Sequence, residues 1–262
     1  MRIPMEEGLN TPDKIKERLR TGRLPRRGVL LMVPARFAFA IVVFILVCLL
    51  EVIAGATKPL QAAGAWWLVS GTLIDLGCLA VLTILVRREG ISLLDLLNLD
   101  RRHIWRDLLI GLPLILALIP ALVVIQVLQT VFYPGQLPPQ IALVHLPLWA
   151  TIYSIVVWPA VWAFTEQITY VGYLLPRLEV LTKRRWFAGS IVVFFWAIQH
   201  IALPFVPEAR YLFVRTVSAG LVAITAVVLY WFVLRRRLLP LIVVHWFGDA
   251  LAALTPLLLV HH

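Results

Sequence analysis

Glu166, His200, His245 and Asp249 lie inside long apolar runs, with Gln167 and Gln199 as neutral polar neighbours. An ionisable group at the centre of a membrane helix costs about 2.5–3.5 kcal/mol on insertion scales, so each of these demands an explanation. Counted at about 1.5 Å per helical residue from the basic clusters flanking the runs, the four lie roughly 10–21 Å deep, on three different helices. His245 and Asp249 are four residues apart and share a helix face. Such a set suits hydrolysis inside a bilayer: a carboxylate shielded from bulk water acts as general base to a water molecule, and histidines donate hydrogen bonds to the developing oxyanion. Glu166, His200 and His245 are also zinc-ligand types, and three protein ligands plus water make a catalytic zinc site, so a metal stays open on residue type alone. The chain has no His-Glu-x-x-His signature of the standard zinc proteases.

The elements that carry these residues are membrane helices. Of the 262 residues 61% are hydrophobic and 15% charged, where a soluble domain carries roughly 25% charged residues. Runs of about 20 apolar residues, enough for about 30 Å of hydrocarbon, predict an all-α polytopic bundle of seven spans. Their approximate bounds are 35–57, 61–86, 108–131, 147–175, 187–206, 211–234 and 238–260. Residues 1–34 form a basic cytosolic segment, in which Thr11-Pro12-Asp13 starts a short helix ending near Arg20. Residues 35–262 form one membrane domain, with the polar motifs between 160 and 250. With the N-terminus inside, 21 Lys and Arg fall on the cytoplasmic side, Arg36 among them, and Lys58, Arg210 and Arg215 on the other. The net charge of +10 therefore reads as orientation and not as nucleic-acid binding. Residues 87–106 are too short to span and are expected as an interfacial amphipathic helix. Asp75 is expected as a buried partner for another polar group, Glu51 and Arg215 as interfacial side chains, and tryptophans such as Trp105, Trp149 and Trp186 as a membrane-interface belt. His261 and His262 are assigned no role.

Three segments in order resemble the motif set of the CPBP family of intramembrane proteases, which includes the type II CAAX prenyl endopeptidases. The family pattern is Glu-Glu-x-x-x-Arg-Gly, Phe-x-x-x-His and His-x-x-x-Asn or Asp, each on its own membrane helix. Here the segments read Glu166-Gln167-Ile168-Thr169-Tyr170-Val171-Gly172, Trp196-Ala197-Ile198-Gln199-His200 and His245-Trp246-Phe247-Gly248-Asp249. The resemblance covers roughly residues 87 to 250, leaving the first two spans generic. It implies that Glu166 activates water, that His200 assists, and that His245 with Asp249 positions groups or stabilises the oxyanion. Gln167 and Trp196 would support the site, with no essential metal. It implies an integral protein of a prokaryotic plasma membrane, whose partners are the bilayer and a peptide or membrane-protein substrate, with CAAX-type substrates in the family's range. Gln167 and Val171 replace the family's second glutamate and its arginine, removing one charge of each sign. A second reading therefore stands beside the first: a catalytically impaired relative acting as a membrane binding, scaffold or immunity protein.

Overall fold

A computed structural model describes residues 8–99, 101–135 and 146–259; Arg2 of the basic N-terminal cluster, His261 and His262 lie outside the described residues. Helices α1 (Pro12–Arg20) and α2 (Arg26–Met32) lead into α3 (Ala35–Ile53), and a short α4 (Pro59–Ala65) precedes α5 (Trp67–Arg88). An apolar rod over 104–132 comprises α6 (Ile104–Gly111) and α7 (Ile119–Phe132) with a 3₁₀ stretch between them. A second, over 148–182, comprises α8 (Leu148–Val156), α9 (Trp158–Gln167), a π-helical turn at Ile168–Leu174 and α10 (Leu175–Thr182). Then follow α11 (Arg185–Gln199), α12 (Ala209–Val228) and α13 (Leu239–Leu259). Five helical stretches are long and apolar enough to cross a membrane, and α11 and α13 add two shorter apolar helices, so the protein is an all-helical, multi-pass membrane bundle.

Helix α9 sits in the middle, against α5 on one side and α13 on the other, while α3 covers α5 and α11 bridges α3 and α12. On α3 only Arg36, Ala40 and Val43 are buried. Their four- and three-residue spacing gives one inward stripe, and Ile41, Ile45, Leu46 and Leu49 turn outward. Lipid is as apolar as a protein core, so outward leucines cost nothing in the membrane, and small inward residues let helices approach. Gly111 shows how close: a Cβ there would meet Val243 Cβ at 2.6 Å and the Pro240 carbonyl at 3.1 Å. Gly111→Ala is expected to push α13 off α6 and to cost about 1–3 kcal/mol, read as a lowered unfolding temperature in detergent; an unchanged temperature would show that α13 adjusts freely.

Two expectations need correction here. Residues 87–106 do not form an amphipathic helix but two 3₁₀ turns, Leu94–Leu97 and Arg101–His103. Asp95 ties the first turn by accepting from the Ser92 N–H at 2.7 Å, Asn98 ends it at φ 48°, and Leu96 and Leu97 are buried. Tertiary anchoring of this segment replaces the expected helix with tight turns. The expected span over 187–206 stops at Gln199, because Pro204 and Pro207 follow and cannot continue a helix. At 15 residues α11 is about 22 Å long, so its last turn and His200 fall within the bundle.

The N-terminal helix begins as expected, with Thr11 capping the Lys14 N–H, and it docks against α10. Ile15 and Arg18 are buried there. Glu89 takes a two-pronged contact from Arg177 (Nε and Nη2, both 2.7 Å) and a third from Arg18 Nε at 3.0 Å. Asn10 completes the joint, accepting from Arg177 Nη1 at 3.0 Å and donating to the Gly172 carbonyl at 2.7 Å, on the π-helical turn.

Candidate active site

The end of α9 and the π-helical turn form the most deeply enclosed part of the chain, with every residue from Thr165 to Leu175 buried. A π-turn inserts an extra residue into the helical repeat and is found frequently at functional sites. Just ahead of it stands Glu166, fully buried. Its Oε1 accepts from Gln199 Nε2 at 2.5 Å and its Oε2 from Trp196 Nε1 at 2.8 Å. Each carboxylate oxygen has two acceptor sites, so lone pairs remain for a water molecule. Trp196 is therefore more than the aromatic wall expected from the motif. Its ring stacks on Tyr170 at 5.4 Å between centroids, and its N–H holds the carboxylate.

The two motif histidines point their protons in opposite ways. His200 Nδ1 lies 2.8 Å from the Trp196 carbonyl, which can only accept, so neutral His200 carries its proton on Nδ1 and keeps a lone pair on Nε2. His245 Nδ1 faces Gln167 Nε2 at 3.3 Å, while His245 Nε2 lies 3.4 Å from both Glu166 Oε2 and Asp249 Oδ2. An amide donor on Nδ1 and carboxylates on Nε2 place that ring's proton on Nε2. Asp249 and Glu166 thus flank one N–H, and Gln167, standing where the family has a second acid, faces the opposite ring nitrogen. The sequence-derived set of Glu166, Gln167, Trp196, His200, His245 and Asp249 comes together around one cavity of about 550 Å³. Among the described residues no three His, Cys, Asp or Glu side chains assemble into a metal-binding group.

The residue that sequence reasoning missed is Arg36. Counted with the basic cluster that sets orientation, it is instead completely buried at the start of α3. Its Nη1 donates to Asp75 Oδ1 at 2.7 Å, its Nε to Gln199 Oε1 at 3.0 Å, and its Nη2 lies 3.8 Å from Glu166 Oε1. The guanidinium rests 4.5 Å from the Trp162 ring centroid. Asp75 is the buried partner it was expected to be, while Val171 packs in the apolar core. A signal was present: Arg36 lies on the same α3 face as Ala40 and Val43, the stripe of smaller residues that approaches a neighbour, and an arginine there needs an acid. Arg215 also departs from expectation. It lines the cavity with the motif residues and donates from Nη2 to the Leu203 carbonyl at 2.9 Å. A helix that stops inside a membrane leaves carbonyls without partners, and Arg215 supplies a donor just beyond the end of α11.

Away from the motifs the cavity wall is largely apolar, with Leu118, Leu122 and Ile125 from the 104–132 rod and Val222 from α12, interrupted by Gln129, Arg215 and Ser218. Residues 147–251, less than half of the chain, match the family model described as type II CAAX prenyl endopeptidase Rce1-like. All three motifs fall inside that stretch, which bears out the family resemblance there. Arg36 and Asp75 fall outside it. No curated protein and no solved structure matches the chain.

Proposed function

We propose that this protein is an intramembrane endopeptidase that cleaves a peptide bond with a water activated by Glu166. What supports the reading is a single arrangement: a buried carboxylate fixed by two N–H donors at the wall of an apolar cavity that it shares with His200, His245 and Asp249. The family match over 147–251, to an endopeptidase family, points the same way. In this reading the water oxygen attacks the scissile carbonyl carbon while Glu166 takes the water's proton. The carbon–nitrogen bond then breaks, and the amine leaves with that proton, restoring the carboxylate. His200 offers its Nε2 lone pair as a second acceptor for the water. The His245 N–H, flanked by Asp249 and Glu166, is a further donor at the reacting carboxylate, placed to serve the developing oxyanion. An apolar cavity of this size suits a lipidated or membrane-inserted peptide, CAAX-type peptides included.

The test is a purified, reconstituted protein given three quenched fluorogenic peptides: a farnesylated peptide with three residues after the lipidated cysteine, its unlipidated counterpart and a membrane-spanning peptide. Cleavage of the first or third is expected, and no cleavage of any would sink the reading. The scheme uses no metal; a chelator is expected to leave the rate unchanged, and loss restored by zinc would overturn that part. Trp196→Phe keeps an aromatic ring but removes one donor. A hydrogen bond to a charged group is worth about 1.5–3 kcal/mol, so the rate on the cleaved peptide is expected to fall roughly tenfold or more, and an unaltered rate would reduce Trp196 to packing. Gln167 and Val171 favour the alternative, an impaired relative that binds peptides; it predicts binding of the same peptides without turnover. In the proposed reading the membrane is a prokaryotic plasma membrane, and the distribution of Lys and Arg supports a cytoplasmic N-terminus.

A further inference from the structure

Glu166 is held from the far side of the bundle as well as by its own motif partners. We infer that Arg36 and Asp75, on the first two long helices, form a positioning pair for Glu166 that acts through the Gln199 amide. The inference deepens the proposed peptidase reading and rests on it for its kinetic consequences.

A glutamine side chain presents an oxygen at one corner and an NH₂ group at the other, and a half-turn about its last bond exchanges them. With its amide reversed, Gln199 would set an oxygen against the Glu166 carboxylate and repel it. Arg36 decides the matter, because a guanidinium has five donors and no acceptor. Its Nε can meet only the Gln199 oxygen, at 3.0 Å, so the Gln199 NH₂ is turned onto Glu166 Oε1, at 2.5 Å. Donor direction thus runs one way from guanidinium through amide to carboxylate. Asp75 fixes the start of the relay, accepting Nη1 at 2.7 Å, and the Trp162 face packs against the guanidinium plane.

Stapling α3 to α5 would account for the Arg36–Asp75 contact alone. It does not account for the other two edges of the guanidinium. Nε is spent on Gln199, which lies on α11 outside that staple and hydrogen-bonds Glu166, and Nη2 lies 3.8 Å from Glu166 Oε1 with no hydrogen-bond partner of its own. Arg36, Asp75, Glu166 and Gln199 are all fully buried. A charged group at such a place is expensive and marks function more often than packing. The consequence is that the cation absent at position 171 is supplied to the site by another helix, outside the stretch that matches the family.

The test uses the full-length reconstituted protein, whichever of the three peptides above it cleaves, and the variants Arg36→Leu, Gln199→Leu, their combination and Arg36→Lys. Each leucine variant is expected to lower kcat roughly 10- to 100-fold with KM little changed. The combination is expected to be no slower than the slower single variant, because both break one relay. Additive losses, or losses confined to KM, would overturn the relay. Should Arg36→Leu fail to fold, Arg36→Lys keeps a charge for Asp75 but lacks the fork that reaches Gln199 at the same time. It is expected to fold and still lose kcat, and full activity in it would overturn the inference. A second readout needs no substrate: the Glu166 carboxylate bands in the infrared, isolated as the difference from Glu166→Gln. They are expected to shift in Arg36→Leu and in Gln199→Leu alike, and unmoved bands in either would refute the relay. Turnover surviving in Glu166→Gln would instead refute Glu166 as the base in the proposed reading, leaving the infrared result to judge the relay by itself.

Discussion

Glu166→Gln is expected to lower peptide cleavage by about 10²- to 10⁴-fold, the range that a positioned general base contributes, without loss of the folded protein. The substitution keeps the shape of the side chain and removes its capacity to take a proton. Trp196 Nε1 can still donate to the new amide oxygen, as it does to Oε2 at 2.8 Å. The other corner becomes an NH₂ group facing the NH₂ of Gln199, now at 2.5 Å from Oε1. That clash of donors is local and is relieved by a small rotation, so thermal unfolding in detergent should change far less than turnover. Measuring both on one preparation separates chemistry from folding. Equal loss of stability and activity would make Glu166 a structural acid that holds α9, α11 and α13 together, and retained turnover would place the base elsewhere. His200→Ala should be the milder of the two, since His200 donates to the Trp196 carbonyl and serves the water as a second acceptor.

The largest effect on stability is expected at the opposite end of the bundle, from Glu89→Ala. Glu89 is buried, and Arg177 and Arg18 both spend their guanidinium groups on it. Burial and then the neighbouring Arg177 cation already hold the Arg18 pKa below its ordinary value, with Glu89 pulling the other way. Removing the acid leaves two like charges close together without the carboxylate they share. Breaking a buried ion pair from one side costs about 3–5 kcal/mol, a large share of the stability of most domains. A fall in unfolding temperature of detergent-solubilised protein, with early proteolysis near α1, is the expected observation. Combining Glu89→Ala with Arg18→Leu should recover part of the loss, because one of the stranded cations is gone. No destabilisation in Glu89→Ala would mean that water reaches this joint and solvates both arginines. Because Asn10 links the same joint to the Gly172 carbonyl on the π-helical turn, turnover is expected to fall along with stability.

Much of the site was legible in one dimension. Glu166, His200, His245 and Asp249 stood out because charged and titratable groups are rare in apolar runs, and because a four-residue spacing fixes a helix face whatever the helix packs against. Arg36 was hidden by its surroundings: at the second residue of α3, nine positions after Arg27, it looks like part of the cluster that fixes topology. Arg215 was hidden in the same way, near a helix start where interfacial arginines are ordinary. The 87–106 segment misled because it is leucine-rich and too short to span, while Asp95, Asn98 and the burial of Leu96 and Leu97 fold it into tight turns.

By itself, then, the sequence determined that this is a multi-pass helical membrane protein and which few polar groups must be explained inside it. Those properties depend on local quantities, the length of apolar runs and the cost of placing a charge in hydrocarbon, and each helix carries its own record of them. Only the tertiary structure decided which groups answer which: that Trp196 and Gln199 hold Glu166, that the two histidines carry their protons on opposite nitrogens, and that the cation near Glu166 comes from α3. Inside a membrane a polar side chain has no water to turn to and takes its partner from whichever helix presents one. That choice is made across the bundle, between residues as far apart in the chain as Arg36 and Gln199, and no spacing along a single helix records it.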